Sequence, residues 1–158
     1  MEKNEPVVAA RGLTRVFGDF KAVDGIDFTV FRGEIFGFLG ANGAGKTTTI
    51  RILTGLLSPS SGVCTVDGID VGRDPEAVKR RIGYMSQKFS LYEDLTVAEN
   101  LEFFGGVYGL SNGRLKSRRD EIMARLEMTG MSSRRTSTLP LGWKQRLALA
   151  SALIHEPG

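Results

Sequence analysis

The stretch Glu34-Ile-Phe-Gly-Phe-Leu-Gly40-Ala-Asn-Gly-Ala-Gly45-Lys46-Thr47-Thr48 decides the reading of this chain. Its first part, residues 34–39, is apolar and aromatic and predicts a buried strand that runs into Gly40. From Gly45 the spacing turns helical through Ile50, Leu53 and Thr54, and Gly55 ends the helix. Between the two, residues 40–47 match G-x-x-x-x-G-K-[ST] without deviation. At average glycine content that pattern arises by chance in well under about one chain in a hundred of this length.

Each residue type in the motif has a chemical reason. Glycines let the backbone curl so that several N–H groups converge on a phosphate. The helix start adds the positive end of its dipole. Lys46 supplies a mobile point charge for the β- and γ-phosphates. The Thr47 hydroxyl is a hard oxygen ligand for Mg²⁺, and Thr48 can hydrogen-bond the α-phosphate. The candidate nucleotide-binding residues are therefore Gly40, Asn42, Gly43, Ala44, Gly45, Lys46, Thr47 and Thr48.

On either side of the motif, residues 7–13 and 22–30 read as strands, the second with Asp24-Gly25 as a turn signal. Residues 63–66 read as a strand, and Asp67-Gly68 as a hairpin-like turn. Asp74-Pro75 opens a helix that leads to Arg81, with Pro at the first helical position. Residues 82–85 suggest a short strand. Thr96-Val-Ala-Glu99 has capping-box spacing and opens a helix through Leu101, Phe104 and Val107. Residues 111–128 place Leu115, Ile122 and Leu126 on one helical side, and residues 143–154 form a mostly apolar helix stopped before Pro157. Strands first and helices later predict an α/β fold with a helical subdomain attached to a sheet core. The expected division is a β-rich, phosphate-loop part over residues 1–88 and a helical part over residues 89–158.

Composition narrows the function classes. The chain has 158 residues, 41% hydrophobic and 25% charged, which excludes intrinsic disorder, collagen-like repeats and a disulfide scaffold. A single cysteine, Cys64, excludes an internal disulfide and a multi-cysteine zinc cluster, and suits a reducing cytosol. No apolar run approaches the roughly 18 residues of a membrane helix, and the polar, acidic start does not read as a secretory signal. The 21 basic and 18 acidic residues leave a net charge of +3, too small to argue for a nucleic-acid partner, and none is expected. Residues 111–158 hold nine basic and four acidic groups; they either face phosphate or anionic lipid or form a solvated helical face. The Asn-Lys-x-Asp reader of guanine is absent from the sequence. The apolar residues 63–66 followed by Asp67 could pose as a magnesium-holding strand end, but Gly68 directly after Asp67 favours a turn.

From about residue 7 to the end, the sequence resembles the nucleotide-binding domain of ABC transporters, most of all the single-subunit type of multidrug or Na⁺ exporters. The resemblance is carried by Thr14-Arg-Val-Phe17-Gly18, Ala22-Val23-Asp24, Gly33-Glu-Ile-Phe-Gly-Phe-Leu-Gly40 with the phosphate loop, and Tyr84-Met-Ser-Gln87, in which Gln87 lies 41 positions after Lys46. It implies a P-loop NTPase fold, a RecA-like core with N-terminal antiparallel strands, and ATP with Mg²⁺ as ligands. It implies that Phe17 stacks on adenine and that Val23 touches base or ribose. Gln87 would contact Mg²⁺ or the attacking water, and Lys46 and Gln87 would serve catalysis. It also implies a membrane-spanning permease subunit as partner, touched near residues 89–95, and a second nucleotide-binding domain. The location implied is cytoplasmic, peripheral at the inner face of the membrane.

Two departures qualify these expectations. Where the family has a Leu-Ser-Gly-Gly-Gln signature that reaches ATP in trans, this chain reads Leu139-Pro140-Leu141-Gly142-Trp143. Pro140 removes a hydroxyl and an N–H, and Leu141 adds bulk, so a weakened contact in trans is expected. The sequence also ends at Leu153-Ile-His-Glu-Pro-Gly158, before the family's Walker B strand and its general-base glutamate. It reads as the N-terminal portion of a longer ATPase, binding ATP with little or no hydrolysis by itself. The rival functions are a soluble ABC-type ATPase of translation or repair and a non-hydrolysing regulatory module.

Overall fold

The computed structural model describes residues 6–86 and 90–158. The chain falls into two compact units, one over residues 1–82 with Gly158 and one over residues 83–157.

The first unit is built on a four-stranded antiparallel sheet of order β2-β1-β3-β4. Strands β1 (Pro6–Phe17) and β2 (Phe20–Phe31) form a long hairpin closed by the two-residue turn Gly18-Asp19, with Gly18 at φ 57°. Both strands run past their predicted ends. Asp24-Gly25, expected as a turn, instead lies inside β2 at a bulge, where the pairing slips between Leu13↔Ile26 and Arg15↔Val23. Gly25 at φ 58° fits that position, and its N–H is taken up by the Thr14 hydroxyl at 3.0 Å. Strand β3 (Ser61–Val66) pairs with β1 and, through Asp67-Gly68, with β4 (Ile69–Asp70). Both turn residues have positive φ, 49° and 75°, the requirement of a tight type I′ hairpin, so Asp67 is a turn residue and no terminal aspartate of a parallel strand.

Helix α1 (Lys46–Leu53) and helix α2 (Pro75–Arg81) complete the unit. Asp74 caps α2, its side chain accepting from the Ala77 N–H at 2.9 Å, and Gly55 at φ 67° follows the end of α1, as the sequence suggests. The core joins Ala10 and Leu13 of β1, Cys64 and Val66 of β3, Ile52 of α1, Val71 and Val78.

Residues 34–39 do not form the buried strand the sequence predicts. They join no ladder, with Ile35 100% and Leu39 95% exposed. The pleat survives in the side chains: Phe36 and Phe38 turn toward Phe28, with ring centroids 5.7 and 5.3 Å away, while Ile35 and Leu39 face outward. A strand exists through its ladder, and among the described residues no strand lies beside this segment. The predicted strand over residues 82–85 is likewise absent, and Tyr84 and Met85 are exposed.

The second unit is helical. Helix α3 (Val97–Val107) opens on a full capping box: the Thr96 hydroxyl accepts from the Glu99 N–H and the Glu99 carboxylate from the Thr96 N–H. Helix α4 (Asn112–Arg125) is shorter than predicted at both ends, and helix α5 (Leu141–Leu153) starts two residues earlier. Their core is Val97, Leu101, Ile122, Met123, Met128, Leu139, Leu147, Ala150 and Ile154. One buried polar residue holds the entry to this bundle. Asn100 is fully buried; its Oδ1 accepts from the Tyr92 N–H at 2.9 Å, and its Nδ2 lies 2.9 Å from Tyr92 O, 3.1 Å from Thr96 O and 2.9 Å from the Thr136 hydroxyl.

Candidate functional site

The phosphate loop in the first unit is shaped by three glycines that hold conformations an L-residue rarely adopts. Gly40, Gly43 and Gly45 have φ 153°, 84° and 80°. Gly45 is the N-cap of α1 and packs on β2 with no room for a side chain: a Cβ there would stand 2.3 Å from the Ala22 carbonyl oxygen and 3.3 Å from Val23 Cγ2. The loop is thereby seated on the hairpin that carries Phe17 at its tip. Val23 is buried beside Gly45, while Phe17 is 46% exposed.

The first turn of α1 is closed by the Thr49 N–H and hydroxyl, 2.8 and 3.0 Å from Gly45 O. Thr49 was not singled out by the motif, although it continues the Thr47-Thr48 run; its buried hydroxyl locks the helix start. Asn42, Gly43, Ala44 and Thr47 are exposed, and Thr48 is half-buried. The Lys46 ammonium is 2.6 Å from both Gly40 O and Ala41 O. Its charge is therefore solvated by the loop's own carbonyls, and an incoming phosphate must draw it away from them.

These residues fit a phosphate chain with Mg²⁺. The curled backbone and the α1 start offer N–H donors, Lys46 offers a cation, and Thr47 offers an exposed hydroxyl. Among the described residues no group of three or more His, Cys, Asp or Glu can hold a metal. Magnesium at this loop would rely on Thr47 and phosphate oxygens, its usual mode with nucleotides. Gln87, the expected partner of the metal or water, lies outside the described residues, as do Lys88 and Phe89.

The signature-like residues lie at the start of α5 in the second unit. Leu139 is buried, Pro140 is the N-cap with φ −56°, and Leu141 is 66% exposed. The Pro140 carbonyl accepts from the Trp143 and Lys144 N–H groups at 3.0 and 3.1 Å, leaving the N–H groups of Leu141 and Gly142 in the first turn without an intrahelical acceptor. A Cβ on Gly142 would meet nothing within 4 Å, so this end of the helix is open. The Arg146 guanidinium lies 4.9 Å from the Trp143 ring centroid, and both line a groove of about 700 Å³ with Met85, Pro140, Gly142, Gln145 and Leu149.

The profile described as "ABC transporter" matches residues 23–158, from the loop's supporting strand through the whole helical unit. The chain belongs to the ABC transporter family. Among its relatives, the probable multidrug ABC transporter ATP-binding protein YbhF of Escherichia coli is 49% identical over 97% of this chain and 26% of its own length. The ABC transporter ATP-binding protein NatA of Bacillus subtilis is 44% identical over 87% of this chain and 56% of its own length. This family member thus spans between a quarter and just over half of those two relatives. A solved ATP-binding subunit of an ABC transporter superposes with TM-score 0.82 at 28% identity, covering 96% of this chain and 63% of that one. Clostridium perfringens cbiO1, part of the cbiONQ transporter complex, superposes with TM-score 0.85 at 28% identity, covering 96% and 62%. The expected α/β P-loop NTPase fold with antiparallel strands and helices is the fold of this ABC family member.

Proposed function

We propose that this chain is the ATP-binding portion of a protein that powers export across a membrane. Residues 40–48 hold the triphosphate, with Lys46 moving from the Gly40 and Ala41 carbonyls to the β- and γ-phosphates and Thr47 reaching Mg²⁺. Bound magnesium would neutralise phosphate charge. Phe17 offers an exposed ring for adenine, and Val23 lies beneath the loop near the base or ribose. By the family resemblance, Gln87 would contact the metal or the attacking water. The partners are a membrane-spanning permease subunit and a second nucleotide-binding domain, at the cytoplasmic face of the membrane. Residues 139–142 reach nucleotide in trans through the open N–H groups of α5. The whole protein hydrolyses ATP by phosphoryl transfer to water, where catalysis is mainly positioning and charge stabilisation. The 158 residues alone turn ATP over little or not at all, because the family's general-base glutamate has no matching position in them.

The observation that carries the reading is the left-handed Gly43 and Gly45 around Lys46 at the start of α1. Thermal unfolding with and without Mg-ATP tests it. Ligand at a hundredfold excess over Kd should stabilise the chain by about 2.7 kcal/mol, and Lys46→Ala should abolish most of that gain. An unshifted transition in the wild type at millimolar ATP would sink it.

A second reading, a non-hydrolysing regulatory module, is favoured by Pro140 and the exposed Leu141 at the start of α5. Phosphate release by the full-length protein separates the two: turnover on the order of 1 s⁻¹ or more supports the transporter ATPase, and its absence supports the module.

A further inference from the structure

Arg15 lies two residues before Phe17 on β1 and links two parts of the first unit. Its Cζ is 4.6 Å from the Phe17 ring centroid, a cation–π contact. Its Nη1 donates to the Ser58 carbonyl at 2.9 Å. Ser58 belongs to the loop that follows α1, the helix opened by the phosphate loop. The same loop is held to β1 twice more: the Val16 N–H donates to the Ser60 hydroxyl at 3.0 Å, and the Ser60 N–H to the Thr14 carbonyl at 2.8 Å. The Arg15 Nε is buried and has no hydrogen-bond partner, so the guanidinium's seat is set by the ring and by Ser58 rather than by a full fork of donors. Phe17 keeps 46% of its surface exposed, so the cation braces the ring without burying it.

We infer that Arg15 is a positioning residue for base recognition: it clamps the Phe17 ring to the far end of the α1 segment, so that a purine stacks on the ring at a fixed distance from the phosphate loop. The inference rests on the proposed reading of the site as a nucleotide site. Two features of the contact suit the task. A guanidinium plane stacks on an aromatic face and restrains its rotation. The anchor on Ser58 ties that restraint to the element that positions the triphosphate. A base and a phosphate chain joined by one ribose need both ends of the site in register, which neither Phe17 nor Lys46 provides alone.

Calorimetric titration with Mg-ATP and with inorganic tripolyphosphate, which lacks a base, tests the inference on the full chain. Arg15→Ala should weaken ATP binding by about fivefold to tenfold, the size of a partly desolvated cation–π contact. It should leave tripolyphosphate binding within about twofold, which also shows that the phosphate loop still folds. Arg15→Lys should recover part of the ATP affinity by returning a cation to the ring. Arg15→Ala combined with Phe17→Ala should be no weaker than Phe17→Ala alone, because Arg15 acts through the ring. Equal weakening of both ligands would overturn the inference, since Arg15 would then only hold the fold. Unchanged or tighter ATP binding would also overturn it, the latter because Arg15 would be occupying the face the base needs. If the wild type binds ATP no better than tripolyphosphate, the base-site reading itself fails and takes the role of Arg15 with it. A wild-type preference for ATP that survives Arg15→Ala removes the role of Arg15 alone.

Discussion

A Cβ on Gly45 would stand 2.3 Å from the carbonyl oxygen of Ala22, so the start of α1 and strand β2 touch backbone to backbone. Gly45→Ala meets that contact and a left-handed φ of 80° together. Gly43→Ala meets only the left-handed φ of 84°, with open space where its Cβ would go. Gly43→Ala should cost about 1–2 kcal/mol from backbone strain. Gly45→Ala should cost clearly more and displace α1 from β2. Urea unfolding of the two variants checks the order; equal costs would show that the Ala22 contact relaxes freely.

Buried Asn100 makes four short polar contacts to the segment over residues 92–96 and to Thr136. Asn100→Ala leaves the partly buried Tyr92 N–H without its acceptor, which should cost about 1–3 kcal/mol. Asn100→Asp keeps the acceptor for Tyr92 but loses the donors to the Tyr92 and Thr96 carbonyls, and it should rescue little. Hydrogen exchange of the Tyr92 amide should quicken in both variants. A slow amide in Asn100→Ala would mean that another acceptor replaces the side chain.

The capping box makes the second unit sensitive to acid. Hydrogen bonds from the Thr96 backbone N–H and from its hydroxyl hold the Glu99 carboxyl below its ordinary value. A carboxylate with a depressed folded pKa adds stability that is fully present above its unfolded value. That stability is lost as pH falls through the folded value. Stability should therefore decline on acidification below about pH 4.5, and Glu99→Gln should flatten that part of the profile. Thr96→Ala should cost about 1 kcal/mol at neutral pH through loss of the cap. Denaturant midpoints from pH 3 to pH 7 check both; a wild-type profile unchanged by Glu99→Gln would contradict the assignment.

Cys64 reports on opening of the first unit. It is buried on β3 in the core shared with Ala10 of β1 and Ile52 of α1, and burial, with the Asp70 carboxylate adding to it, pushes its thiol up to about 11. The thiolate is the reactive form, so the native chain should react negligibly with a disulfide reagent at pH 8. The rate should rise with urea in step with loss of the first unit, and Mg-ATP should slow it. Fast labelling of native protein would show that β3 opens independently of the core.

Local rules made much of this protein legible. The G-x-x-x-x-G-K-T spacing located the loop and Lys46, the Asp67-Gly68 pair located a hairpin turn, and Thr96 with Glu99 located the start of α3, because in each case a few neighbouring residues meet their own hydrogen-bond or φ requirements. Asp24-Gly25 misled for the same reason: its turn chemistry is real, but pairing with β1 absorbs it as a bulge. Residues 34–39 carry the apolar run of a buried strand, yet an apolar run cannot supply a ladder partner, and the segment stays unpaired with Ile35 and Leu39 bare. Only the tertiary structure decided which distant groups meet: Gly45 against Ala22, Asn100 with Thr136, and Arg15 between Phe17 and Ser58. Those contacts join residues far apart in the chain, and their geometry follows from how elements pack, which no local pattern of residue types encodes.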